Sequence, residues 1–380
     1  MRMKSEIPES TRKHFAVVVR GPAAFFFHPD DRLVVEDFPS AIGPVNMTYT
    51  TRWLNKGDDI VLPGHLWIDI RGHATTLEDA LVAFANAALS LLPIFSLSAN
   101  AAVDEPEIEL GFDNTPGAIE RDYFQCYLPP ETEILHVRRR VKVEPTVALL
   151  KAVTTHPDAE RLLRGINQYR LALDSWRLGR ESLALAHLWM ALEAITKTKL
   201  KAMCESRKIT ETELASSLGI TRTELDSVIR KDFLLHGDIE CYKKGKQASD
   251  GFEHGFLEYD KMREHSKEIR HRMASYLRSA LFELCNLAAD VIEVLTTDPY
   301  DKPLGRWPVV KYLRGKLVGE GDELSTPGGA YPFMRWTPSI KSAGFKADGR
   351  FDVTLTETLT AELAEGIKFR PVSHEVWKAG

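Results

Sequence analysis

The spacing of apolar and polar residues divides the chain into a strand-rich start, a helical middle and a mixed end. Near the N-terminus, "HFAVVVRGPAAFFF" places two apolar runs on either side of Gly21-Pro22, which predicts a hairpin-like turn between strands. "GHLWIDIRGH" alternates: His65, Trp67, Asp69, Arg71 and His73 fall on one face, and Leu66, Ile68 and Ile70 on the other. The polar set is expected on the solvated face of an edge or outer strand. From Leu77 the spacing turns helical, and Thr76 with Asp79 forms an approximate capping box at its start. "TEILHVRRRVKV" predicts a later strand, with Arg138, Arg139 and Arg140 guarding a sheet edge. Residues 1–150 are therefore expected to form an α+β domain.

Residues 151–300 read as an all-α bundle. Pro157 suits the first turn of a helix. Leu162, Leu163, Ile166, Tyr169, Leu173 and Trp176 then make an amphipathic stripe that Gly179 closes. From Leu183 to Ile195 only His187 and Glu193 are polar, so this helix is expected to be enclosed by others. Glu193 would then be a buried carboxylate that needs a partner, either holding a catalytic group or forming a structural salt bridge. His187 reads as a hydrogen-bonded core histidine. Two capping boxes, Thr210 with Glu213 and Thr221 with Glu224, flank Gly219 and predict two helices joined by a tight turn. This resembles a helix-turn-helix, but its second helix would present Glu224 and Asp226 to a polyanion, which argues against DNA. The second helix runs on into "RKDFLLHGD", with His236 expected in its last turn and Gly237 as C-cap. "CYKKGKQASDGFEHGF" reads as a polar loop, and residues 260–297 as a long helix or a helix pair. Residues 301–380 form a small mixed extension. Its aromatics Trp307, Tyr331, Phe333 and Trp336 are expected to pack rather than stack on bases.

Composition narrows the function. At 380 residues the chain is long enough for two or three domains. A net charge of −5 supplies no global field for nucleic acid, so any polyanion site must be a local patch. Cys126, Cys204, Cys241 and Cys285 lie far apart without CxxC spacing, which predicts reduced thiols and neither zinc nor disulfides. The start lacks the apolar core of a signal peptide, and no stretch reads as a membrane span, so the expected compartment is the cytoplasm. His65, Asp69 and His73 do not make a metal site, because strand residues four apart are ~13 Å apart. No cofactor is expected.

The segments "YRLALDSW", "LALAHLWMALEAITK", "IRKDFLLHGD" and the last long helix resemble the HEPN family of helical domains, in its ApeA-like group. The whole chain is also similar to the family of methylamine utilisation MauJ proteins. Catalytic HEPN domains carry an arginine, four to six residues, then a histidine, and Arg230 and His236 match with five between. Lys231 departs from the family's usual small polar residue or histidine at that place. Arg180 and His187 also fit the spacing, but Arg230 lies in the expected later helix, before His-Gly. The resemblance implies metal-independent RNA cleavage by the ribose 2′-oxygen, with a homodimer through the helical domain. Such chemistry takes a general base near neutral pH, a role for His236, and fixed positive charge on the phosphorane, a role for Arg230. Residues six apart on an α-helix are separated by ~9 Å of rise and do not share a face, so convergence would need an irregular helix end. A non-catalytic dimerisation or binding scaffold is the alternative.

Overall fold

The computed structural model describes residues 12–55, 61–126, 138–177, 179–254, 258–305, 310–320, 323–328, 332–347 and 349–377. By their contacts they group into two units. The first covers residues up to Thr51 and His65–Trp307, and so takes in most of the segments expected as domains at 1–150 and 151–300. The second covers Arg52–Gly64 and Pro308–Ala379.

In chain order come β1 (Lys13–Gly21), β2 (Phe25–Phe26), β3 (Leu33–Ser40), β4 (Gly43–Asn55) and β5 (Val61–Ala74), followed by helix α1 (Leu77–Ala99). After α1 come β6 (Glu107–Asp113), β7 (Tyr123–Gln125) and β8 (Arg139–Arg140). The main sheet has the order β3-β4-β5-β1-β6-β7. The alternation of β5 holds, with Leu66, Ile68 and Ile70 buried. However, β5 is an inner strand between β4 and β1, so its polar face is the open side of a sheet and not an edge. No hairpin forms at Gly21-Pro22. β1 pairs with β5 and β6, while β2 leaves the sheet to pair in parallel with β8. At the end of the β1–β6 ladder the chains run close together, and a Cβ added to Gly21 would sit 2.9 Å from Pro106.

α1 is long and apolar enough to cross a membrane, contrary to the sequence expectation, but most of that stretch is buried inside the protein. Thr76 caps it by accepting from the Asp79 N–H at 3.1 Å. At its other end lie two buried arginines. Arg139 donates to the carbonyls of Ala99 and Asn100. Arg278 donates to those of Leu97, Ser98, Leu295 and Tyr300 at 2.7–3.0 Å. Burial pushes each guanidinium down to about 10. Arg139 is therefore a clamp on a helix C-terminus, where carbonyls lack intrahelical partners, and not a guard on a sheet edge. Arg140 instead pairs with Asp31 at 2.8 Å.

The helical layer comprises α2 (Val143–Thr154), α3 (Ala159–Asp174), α4 (Glu181–Arg207), α5 (Glu211–Ser217), α6 (Leu225–Val228), α7 (Ile239–His254), α8 (Tyr259–Leu284) and α9 (Ala289–Thr296). Pro157 precedes the N-cap Asp158 of α3 and is not in its first turn; Gly179, with φ of 81°, lies in the loop beyond the C-cap Ser175. α3 and α4 pack so closely that a Cβ on Gly165 would lie 2.6 Å from Ile195 Cγ2. The segment expected as a loop after Gly237 is the helix α7. Its buried positions Cys241, Gly245, Ala248 and Ser249 are small, which hid the helical period. Gly245 is there for close approach, since a Cβ would meet Met273 Cε at 2.6 Å. Buried residues of the sheet, α1 and the bundle form one continuous core.

The second unit contains β9 (Val310–Val318), β10 (Phe333–Phe345), β11 (Phe351–Glu362) and β12 (Lys368–Trp377). Antiparallel pairs form between β10 and β11 and between β12 and β9. Among the described residues this extension holds strands alone, where a mixed segment was expected. Trp53, Phe345 and Phe351 pack ring to ring at 5.1–5.8 Å. Phe333 is exposed. Trp307, Tyr331 and the side chain of Trp336 lie outside the described residues.

Candidate functional site

Both capping boxes form. Glu213 and Glu224 each bond back to the N–H of Thr210 and Thr221 at 2.8 Å, and Gly219 turns the chain at φ of 68°. A long recognition helix does not follow. Residues 222–224 are a 3₁₀ turn, α6 is one turn long, and residues 229–234 form a π-helix. The apolar spacing explains the change. Leu225 and Ile229 are four apart, but the next fully buried position, Leu234, is five further on. The turn must widen to keep Leu234 in the core, and Leu235 N–H accordingly bonds the Arg230 carbonyl five residues back at 3.0 Å. Such π segments are rare and often lie at functional sites.

Arg230 and His236 bracket this widened turn. The Arg230 guanidinium points to α4, where its Nη1 meets Glu193 Oε1 at 2.8 Å. Its Nε donates to the Asp226 carbonyl at 3.2 Å, and its carbon lies 5.9 Å from the Trp189 ring centre. Trp189 Nε1 also donates to Glu193 Oε1, at 3.1 Å. Glu193 is not buried as expected; its side chain is 46% exposed, and that of Arg230 20%. α4 has a narrow wet stripe at His187, Met190, Glu193 and Lys197, spaced by three and four, and the apolar run concealed it. The salt-bridge role foreseen for Glu193 is real, and its partner is the candidate arginine.

His236 is exposed and stands past the helix end, not in its last turn. Its φ is 51° and that of Gly237 is 76°, both left-handed, and the Gly237 N–H reaches back to the Lys231 carbonyl at 2.9 Å. A left-handed residue other than glycine costs ~1–2 kcal/mol, so a histidine here is held against a backbone preference. Its ring rests on Tyr276 of α8, centroids 5.5 Å apart. The structure thus joins Arg230 to Glu193 on the α4 side and seats His236 on the α8 side. Lys231 is partly buried and pairs with Asp232 at 3.4 Å.

The region around His236 is tied together by residues that sequence spacing did not single out. Asp238 Oδ1 accepts from the Cys241 N–H at 2.9 Å, capping α7, and its Oδ2 receives Arg272 at 2.8 Å and the Tyr276 hydroxyl at 3.3 Å. Glu240 is shared by Arg272 at 2.7 Å and Lys244 at 2.8 Å, and hydrogen bonds from Lys244, then Arg272, hold its carboxyl down at about 2. The only legible signal was the capping aspartate after Gly237.

The alternative motif pair behaves differently. His187 is partly buried on the wet stripe of α4 and bonds Gln168 at 2.9 Å, and burial lowers its pKa. A cleft of about 290 Å³, lined by Asp104, Glu105, Arg170, Leu171, Asp174 and Arg177, includes neither Arg230 nor His236. Among the described residues no cluster of three or more His, Cys, Asp or Glu could hold a metal ion. Comparison with protein-family models, curated proteins and solved structures finds no match for this chain.

Proposed function

We propose that the chain is a metal-independent endoribonuclease of the HEPN type, with Arg230 and His236 as its working pair. The observation that carries this reading is the exposed His236 at the open end of a π turn that begins beside Arg230. His236 shares its left-handed backbone with the helix ends at Asn100 and Lys208, so what supports its role is its exposure at the end of the turn that bears Arg230. In the reaction, His236 takes the proton of a ribose 2′-hydroxyl, whose oxygen attacks the adjacent phosphorus. The P–O5′ bond breaks, the 5′-oxygen takes a proton from water, the hydroxide left behind takes the proton that His236 removed, and a 2′,3′-cyclic phosphate remains. Arg230 supplies fixed positive charge to the phosphorane oxygens, and Glu193 aims the guanidinium. Glu193 also neutralises that charge in the free protein, so substrate phosphate must compete for it. A homodimer through the helical layer would bring two such pairs together.

A second reading, a non-catalytic dimerisation or binding scaffold, is favoured by the engagement of Arg230 with Glu193, Asp226 and Trp189 together. Product chemistry separates the two. Mixed structured and single-stranded RNA, incubated with EDTA, should yield fragments ending in cyclic phosphate. Glu193→Gln should tighten RNA binding if the carboxylate competes with phosphate. Intact RNA, together with unchanged binding in Glu193→Gln, would favour the scaffold.

A further inference from the structure

We propose that Tyr276 is the positioning residue of His236, and that Asp238 and Arg272 hold Tyr276 in place; this rests on the ribonuclease reading above. A histidine that is exposed and lies beyond the last helical turn has no helix to fix its ring. The contact that orders it is the Tyr276 ring, tilted at 49° to the imidazole with centroids 5.5 Å apart. Tyr276 is itself tethered, its hydroxyl donating to Asp238 Oδ2 at 3.3 Å. Asp238 lies two residues after His236, so this bond ties the turn that bears the imidazole back to the helix that bears its support. Arg272, one turn before Tyr276 on α8, binds the same oxygen at 2.8 Å and spans to Glu240 at 2.7 Å. The tether persists at neutral pH: burial and then the Asp238 charge raise the Tyr276 hydroxyl above its ordinary value, so it remains a donor.

This arrangement assigns separate tasks to two side chains. The ring of Tyr276 sets the plane of the imidazole, and its hydroxyl sets the place of the ring. A general base must lie within hydrogen-bond reach of its proton, and a misplacement of ~1 Å costs about 100-fold in rate. Tyr276 acts through the His236 ring, so its loss should lower kcat and leave KM nearly unchanged.

The test compares the native protein with Tyr276→Phe, Tyr276→Leu and His236→Ala on the same RNA pool, and follows the His236 ring signals by ¹H–¹³C NMR. Tyr276→Leu should lose about 100-fold in kcat with KM within about twofold, and its His236 ring signals should lose the ring-current shift. Tyr276→Phe keeps the ring contact and should fall between the two. Cleavage that depends on His236 but is unchanged in both Tyr276 variants would overturn this proposal alone. No cleavage by the native protein would overturn the ribonuclease reading and this proposal with it. Should Tyr276→Leu fail to fold, Tyr276→Phe decides: native kcat together with a native His236 signal rejects the tether.

Discussion

Replacing His236 with glycine removes the imidazole at a place where the backbone already favours glycine. Three contributions set the effect on stability. Relief of a left-handed histidine (φ 51°) contributes ~1–2 kcal/mol. The greater freedom of an unfolded glycine opposes it by ~0.5–1 kcal/mol. Loss of the ring contact with Tyr276 removes a further ~0.5–1.5 kcal/mol. These nearly cancel, so His236→Gly should unfold in urea within about 1 kcal/mol of the native protein, with an unchanged slope. A general base is worth ~10²–10⁴ in rate, so RNA cleavage should fall by that factor. The expected signature is lost activity at constant stability. A loss of more than about 2 kcal/mol would mean that His236 supports the structure, and the strain argument would fail.

Arg278 should behave in the opposite way. It is 3% exposed and feeds four carbonyls, so Arg278→Met should destabilise the first unit by roughly 3–5 kcal/mol in urea melts. Cys241 and Cys285 are pushed up to about 12 by burial, so a thiol reagent at neutral pH should label them only after unfolding, and early labelling would refute their burial. Glu240 has its folded value depressed to about 2 from 4.5. Its contribution is therefore present above about pH 4.5 and is lost as pH falls toward 2. Acid unfolding of Glu240→Gln should show a shallower pH dependence across that window.

The sequence made local features legible and missed those set by distant neighbours. The capping boxes at Thr210 and Thr221 were readable because all their partners lie within three residues. The alternation of β5 was readable because one face must be apolar, yet nothing in it told an inner strand from an outer one. α7 was hidden because its buried positions Cys241, Gly245 and Ala248 are small, Gly245 to admit Trp189 and Met273, and small residues read as loop. Glu193 was misplaced because a solvated stripe one residue wide vanishes in an apolar run. The π turn arises from the five-residue step between Ile229 and Leu234, visible only once both are known to be buried. The roles of Arg139 and Arg278 depend on where α1 ends in space, which no local spacing encodes. Of the candidate site, the motif residues were found from the sequence, while Asp238, Arg272 and Tyr276 came only from the fold.

Whether Arg230 and His236 together cut RNA is measured by cleavage with the native protein, Arg230→Ala and His236→Ala, EDTA present. The native protein should cut, and both variants should stay folded and lose at least about 100-fold in rate. RNA left whole by the native protein, or cut equally by all three, would contradict that joint role.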